Sequence, residues 1–559
     1  MRQTIHVWGF LLAAPLFFKA SASCLYNVVK LDGYGKFSGT TINVTSTNQP
    51  LPRKVDAWLG MDYATQPVGD GRFRPADWPT PFDGVIPATK KGKSCIQVAS
   101  GFSPIDQQDE ACLNFNVYRT HGKPKGQKLP VLVWIHGGSF NYGEGALFDA
   151  ASFVSLSKEP MVVVTMNYRL GSLGSLPSRL FEDEGLLNLG LQDQKLFLQF
   201  VQKYIAAFGG DADTITLGGT SAGSHSVGIH QFHNYDEDTG NPLFNRVIYE
   251  SGSVTARAFP NATIPLYRQQ MDEYMMGLGC PQGDAKKALA CLRAVGVDTI
   301  RDVNTEIFEK GRETLTFPFQ PVQGGPLLEK FGSQSGYDET FFHVPTLVIY
   351  STNEGSRWVS TSLETNSEFV DYMHILAPEM NNNDLDLLSE LYPDPATDPS
   401  SPYAESTNST QFERLATAWG DYAYLCPSQE TAYRVSLARV PIWKLHFNTN
   451  NSNPAWLGIP HVADQPYMWN DPLVQYPDIG RQHHAYLASF VVSGDPNTYR
   501  YLDTPEWPQY EPQGYKLDDK PGMQLLVEPE GRTRAVRDDV RREACMYWRD
   551  PERAPRLWK

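Results

Sequence analysis

The chain has 559 residues, 41% hydrophobic and 20% charged, which provides for a large buried core and excludes global disorder. A formal charge of -15 excludes the basic surface that nucleic-acid phosphates require, and by itself identifies no substrate. That length could hold several domains, but large α/β proteins often use it as one.

At the N-terminus, Arg2 precedes an apolar run from Val7 to Phe18, and Ala20, Ser21 and Ala22 supply small residues. The pattern predicts a signal peptide over residues 1–22, cleaved near Ala22 or Ser23, and a single mature domain over 23–559. No later stretch of about 18 uninterrupted apolar residues follows, so a secreted, soluble protein without an integral membrane span is expected. The cysteines then read as bridges. Cys95 and Cys112 bracket a modest loop, Cys280 and Cys291 are close, and Cys426 with Cys545 would close a long one. Spacing alone does not fix these pairs, and Cys24 is left over. Sequons at Asn43, Asn261, Asn408 and Asn450 suit the same compartment.

In chain order, buried strands are predicted at Leu129–Ile135, Met161–Met166, Thr214–Leu217, Asn245–Tyr249, Pro345–Tyr350 and Val440–His446. They are continuous apolar runs, which suits a sheet covered on both faces. The clearest helical pattern is Gly190–Tyr204. Strands alternating with helices predict an α/β fold with a large, mostly parallel sheet flanked by helices. Asp394–Thr410 and Phe447–Pro454 read as loops.

Gly219-Thr220-Ser221-Ala222-Gly223 directly follows the strand Thr214–Leu217. This is the G-x-S-x-G pattern of a nucleophile elbow, a cramped strand-to-helix turn that projects a serine hydroxyl at a helix N-terminus. His136-Gly137-Gly138-Ser139-Phe140 follows the strand ending at Ile135. Small residues there let backbone amides approach an oxyanion, and the amide of Ala222 should complete the hole. Either motif alone reads as an ordinary glycine-rich turn; the two after successive buried strands do not. The residues alone do not select a general base. Among twelve histidines, His225, His230, His446, His483 and His484 rival His461, and Asp464 rivals Glu354 as its orienting acid.

Further motifs extend the pattern: Arg72–Pro75, Asp109–Leu113, Asn167–Gly171, Phe208–Asp211, Glu250–Gly252, Asn353–Gly355, Gly458–His461, Gly494–Asn497 and Cys545–Trp548. With the elbow and the His136–Phe140 segment, they make the chain resemble the type-B carboxylesterase/lipase family of α/β-hydrolases. That family includes the cholinesterases and many secreted fungal esterases and lipases. The resemblance implies Ser221 as nucleophile, His461 as general base and Glu354 as its orienter. It implies oxyanion amides at Gly138, Ser139 and Ala222, and disulfides Cys95–Cys112, Cys280–Cys291 and Cys426–Cys545. Ser139 departs from the commoner third glycine, and Ala111 replaces the family's usual Asp.

Two details weigh against a cholinesterase: Thr220 replaces a Glu beside the nucleophile, and the Cys95–Cys112 loop lacks a Trp for a quaternary ammonium. That loop is short and carries Asp106, Gln107, Gln108, Asp109 and Glu110, unlike a long apolar flap. The expectation is therefore a secreted serine esterase acting on dissolved or modestly hydrophobic esters. A lipase or sterol esterase is the alternative, and a non-catalytic binding member of the fold the remoter one. Phe140, Phe317, Phe319 and Trp358 are candidates for an acyl pocket or for core. No residue pattern asks for a metal or cofactor, and the oligomeric state is open.

Overall fold

A computed structural model of the chain describes residues 27–123, 126–233, 242–406 and 408–559. The expected signal segment and Cys24 lie outside the described residues. The strands are β1 (Val28–Leu31), β2 (Gly35–Ser38), β3 (Thr40–Val44), β4 (Pro50–Asp62), β5 (Val85–Pro87), β6 (Asn114–Thr120) and β7 (Leu129–Ile135). They continue with β8 (Val162–Met166), β9 (Gly210–Thr220), β10 (Arg246–Glu250), β11 (Thr346–Ser351), β12 (Ile442–Phe447), β13 (Met523–Val527) and β14 (Arg534–Arg537).

An 11-stranded sheet runs in the order β14-β13-β12-β11-β10-β9-β7-β8-β6-β4-β3, and β1, β2 and β5 form a small sheet beside it. From β8 through β7 and β9 to β13 neighbours pair parallel, while β14 at one end and β6, β4 and β3 at the other pair antiparallel. Every residue of β8, β11 and β12 is buried, as in strands covered on both faces, and Lys444 within β12 is buried by pairing with Asp538 at 2.9 Å. β9 is longer than its apolar stretch suggests because it pairs with β7 on one side and β10 on the other. Chain order reverses across β7: β8 lies on one flank and β9 on the other. Such a switch point opens a crevice beyond the carboxyl ends of the strands.

The helix Leu189–Tyr204 packs on this edge, one residue longer at its start than the pattern predicts. Its Asp193 takes the Arg169 guanidinium at 2.6 and 2.7 Å, both groups buried, which locks the Asn167–Gly171 loop beside the crevice. Cys95–Cys112, Cys280–Cys291 and Cys426–Cys545 are bonded, with sulfurs 1.99, 1.99 and 2.04 Å apart. Arg72 joins the first two bridged segments, holding Glu110 bidentately at 2.5 and 2.6 Å and donating to the Leu292, Arg293 and Val295 carbonyls. Asn43, Asn261 and Asn408 are exposed, whereas Asn450 is half-buried. Among the described residues, no helix is long and apolar enough to cross a membrane.

Candidate active site

Ser221 sits between the end of β9 and the helix Ala222–Phe232, at φ 54° and ψ -121°. A serine holds this sparsely populated conformation only where its neighbours dictate it. The elbow glycines show why: a Cβ on Gly223 would lie 2.1 Å from the Ile135 carbonyl oxygen, and one on Gly219 2.5 Å from the Gly223 backbone. The Ser221 amide donates to the Glu250 carbonyl at 2.9 Å, tying the turn to β10. Ala222 opens the helix, so its amide has no intrahelical acceptor.

After β7, Gly138, Ser139 and Phe140 take φ values of 108°, 52° and 59° in succession. Such a run of left-handed residues turns consecutive amides toward one side. Ser139 bears this without a glycine's freedom because its carbonyl is pinned by the amides of Asn141 and Gln320, both at 2.8 Å. Burial pushes the His136 imidazole down to about 4, so it is neutral. It stacks on Tyr168 at 4.5 Å and its Nδ1 lies 2.8 Å from the Gly137 carbonyl, giving the loop a rigid base.

His461 Nε2 lies 2.8 Å from Ser221 Oγ, and His461 Nδ1 lies 2.5 Å from Glu354 Oε2. The other oxygen of Glu354 accepts from Ser251 Oγ and from the Ser351 amide, each at 2.7 Å. With both its oxygens engaged, the carboxylate is fixed; His461 and Glu354 are each only 2% exposed. The sheet brings this about: Ser221 follows β9, Glu354 follows β11, and the His461 loop follows β12, all at carboxyl ends. An isolated bridge between Asn353 and Pro460 fastens the last two loops together. An alcohol, an imidazole and a carboxylate in this series can deprotonate and deliver a nucleophile.

The rival residues are engaged elsewhere. His230 meets Gln194 at 3.1 Å, His446 meets Thr352 at 2.9 Å, and His484 meets the Phe153 carbonyl at 2.9 Å. His225 accepts from the Ser253 amide at 3.4 Å. Asp464 faces His483 at 3.3 Å, not His461. The carboxyl of Glu250 is fully buried, and burial together with the neighbouring Asp464 carboxylate drives its pKa well above the usual range.

Sequence reasoning missed the groups that hold His461. Tyr424 and Trp358 pack on its ring at 4.3 and 5.7 Å. Tyr424 lies in a π-helical segment, Asp421–Leu425, a distortion that no residue pattern announces. Ser251 was visible within the Glu250–Gly252 motif, but nothing in the sequence tied it to Glu354. Of the four candidate acyl-pocket aromatics, Trp358 lines the cavity in front of Ser221, Phe140 is buried 6.5 Å from the His225 ring, Phe319 packs on Tyr274, and Phe317 faces a different cavity. The cavity at Ser221 has a volume of about 520 Å³ and is lined by Gly138, Tyr142, Ser221, Trp358 and His461, with Phe102 at its mouth.

Fold and site together define an α/β-hydrolase of the serine type. The chain belongs to the carboxylesterase family, whose model matches residues 26–548. On that ground it is a carboxylic ester hydrolase. It is 57% identical over 535 residues to "Secreted lipase 4" of Gibberella zeae, covering 96% of this chain and 95% of that protein. It is 30% identical over 498 residues to "Lipase 4" of Diutina rugosa, covering 81% and 86%. The crystal structure of Aspergillus niger EstA superposes with a TM-score of 0.81 at 26% identity, covering 95% of this chain and 99% of that one.

Proposed function

We propose that the chain is a secreted serine hydrolase that cleaves carboxylic esters through an acyl-enzyme, with Ser221, His461 and Glu354 as its catalytic residues. The unbroken hydrogen-bond series from Ser221 Oγ to the Glu354 carboxylate carries the reading. In it, His461 Nε2 takes the hydroxyl proton as Ser221 Oγ attacks the ester carbonyl. Glu354 keeps Nδ1 protonated and stabilises the imidazolium. The amides of Gly138, Ser139 and Ala222 receive the oxyanion. His461 then protonates the departing alkoxide, and water repeats the cycle on the acyl-enzyme. Secretion is supported by the leader-like residues 1–22, the three disulfides and the name of the Gibberella relative. Residues 23–559 form one domain in this reading.

Soluble esters are favoured by the short loop Cys95–Cys112, which is fastened in place. Gln97 exchanges hydrogen bonds with Gly143 at 2.8 and 3.0 Å, and the Gln97 amide donates to Gln108 at 3.1 Å. Gln108 thus turns inward, while Asp106, Gln107 and Asp109 remain exposed. A second reading, lipid esters, is favoured by the relatives' names and by the mouth of the cavity. There Phe102 is 78% exposed and Leu147 44%, an apolar rim suited to a lipid surface. Initial rates on tributyrin and triolein across their solubility limits separate the two. A smooth rise with tributyrin and little triolein turnover supports the soluble-ester reading. A sharp rise at the limit supports lipid esters, and no hydrolysis of any ester contradicts both.

A further inference from the structure

One buried charge has no part in the mechanism above. Lys559 is only 4% exposed; its ammonium donates to the Tyr422 carbonyl and lies 3.8 Å from the centre of the Tyr422 ring. Among the described residues, no carboxylate comes within ion-pair distance of it, and Glu430 acts from further away. Taking an ammonium out of water without a close counter-charge is costly, and burial pushes its pKa down to about 7 against the pull of Glu430. The chain around it is pinned so that the side chain does not turn out to water. The Ser333 hydroxyl donates to the Lys559 carbonyl, and the Phe259 amide donates to the Trp558 carbonyl at 3.0 Å. Just before them, Arg553 and Arg556 hold Asp384 at 2.8–2.9 Å.

The backbone that the ammonium meets explains why a donor is needed there. In the π-helical segment Asp421–Leu425, all of it buried, the Cys426 amide donates to the Asp421 carbonyl, one residue further back than in an α-helix. The Tyr422 carbonyl is thereby left to the amide of residue 427, and Pro427 has none. The Lys559 ammonium takes its place. Without it, a buried carbonyl would stand unpaired, and an α-turn would relieve it by returning the Cys426 amide to Tyr422. That change of register would move Tyr424, whose ring packs on His461 at 4.3 Å.

We propose that Lys559 is a positioning residue for the reaction: it caps the Tyr422 carbonyl, which keeps the π-turn in register, and the π-turn holds the His461 imidazole through Tyr424. The inference rests on His461 being the general base. The charge of Lys559 faces the Tyr422 ring, Glu430 on the helix Cys426–Leu437, and His225 on the helix that follows Ser221. Burial, Arg257, His461 and Lys559 together hold the His225 imidazole well below its usual range, so His225 does not compete for the ammonium's role.

Kinetics of Lys559→Met, Lys559→Arg and Arg556→Met in the intact chain test this. Lys559→Met keeps the length of the side chain and removes the donor. It should lower kcat on p-nitrophenyl butyrate about 10–100-fold, with KM within about twofold. Lys559→Arg still donates to the carbonyl and should keep kcat within about threefold. Arg556→Met loosens the same stretch of chain at Asp384 without touching the turn, and should keep kcat within about twofold. The low-field proton resonance of His461 Nδ1–H should shift or broaden in Lys559→Met and stay unchanged in the other two. Lys559→Ala, with the same loss expected, serves if Lys559→Met does not fold. Wild-type kcat in a folded chain lacking the ammonium, or an equal loss in Arg556→Met, overturns the proposal. A wild type that hydrolyses no ester overturns the ester-hydrolase reading and the proposal with it, and is distinct from either of those results.

Discussion

Ser221 holds a positive φ because two glycines let the strand and helix close around it, and each glycine can be tested. Gly223→Ala places a methyl group 2.1 Å from the Ile135 carbonyl oxygen, within a fixed backbone. It should lower activity by orders of magnitude or prevent folding, read from soluble yield and turnover of p-nitrophenyl butyrate. In the proposed mechanism, Ser221→Ala should reduce kcat roughly 10⁴–10⁶-fold, leaving only what the oxyanion amides supply. Glu354→Gln should cost about 10⁴-fold with the fold intact, because the amide stabilises neither the required tautomer nor the imidazolium. Steady-state kinetics with a far-ultraviolet spectrum checks both.

Glu250 makes a different demand on pH. Its pKa is raised on folding, so the folded chain binds a proton more tightly than the unfolded one, whose carboxyl titrates near about 4.3. The contribution of this group to stability is present below that value and is lost as pH rises toward the folded pKa. Glu250→Gln mimics the protonated form and should remove that component. The variant should gain stability relative to the wild type as pH rises from 5, with kcat within a few-fold. Urea midpoints of both proteins across that range measure it; a variant that is less stable at the higher pH contradicts the account.

At the scale of elements, how much the sequence tells depends on how local the cause is. β8 and β11 are legible because burial on both faces leaves a largely apolar run, and β12 is legible despite Lys444 and His446 because apolar residues surround them. The elbow and the His136–Phe140 turn are legible because backbone crowding restricts their residue types. The π-helical segment that sets Tyr424 against His461 is not, because its cause is tertiary packing. Nor does an isolated sequence distinguish Asp464 from Glu354 as the partner of His461. That choice is made by β11 and β12 pairing side by side, which brings residues 107 apart in the chain together.

The bridge Cys426–Cys545 joins the start of the helix Cys426–Leu437, just beyond the π-helical segment, to the helix Arg542–Trp548 across a separation of 119 residues. In the chain-entropy model, closing a loop of that length is worth about 4–5 kcal/mol. Replacing both cysteines by alanine should lower stability by an amount of that order, read from urea unfolding under oxidising conditions. The sequons make a further prediction. Asn450 has its side chain engaged with the Asn453 backbone at 2.8 and 3.3 Å and is half-buried. Glycopeptide mass spectrometry of chain secreted from a eukaryotic host should find glycans at Asn43, Asn261 and Asn408 and not at Asn450.

For the molecule as a whole, the large parallel sheet acts as a collector. Loops leaving β7, β9, β11 and β12 at one edge carry the Gly138–Ser139 turn, Ser221, Glu354 and His461 in turn. Composition and strand pattern predict such a sheet, but not which cavities it leaves. Phe317, an acyl-pocket candidate in the sequence, lines a cavity that shares no lining residue with the one at Ser221, and its ring meets Trp358 edge-on at 6.2 Å. Cavities are differences between packed surfaces, so residues far apart in the chain determine them together.

The central claim, that Ser221 is the activated nucleophile, meets its most direct test in covalent labelling with a fluorophosphonate followed by intact-protein and peptide mass spectrometry. One adduct per chain on the peptide containing Ser221 is predicted, absent from Ser221→Ala and greatly slowed in His461→Ala. Labelling that persists in the Ser221→Ala chain, or a wild type that stays unmodified while folded, would contradict it.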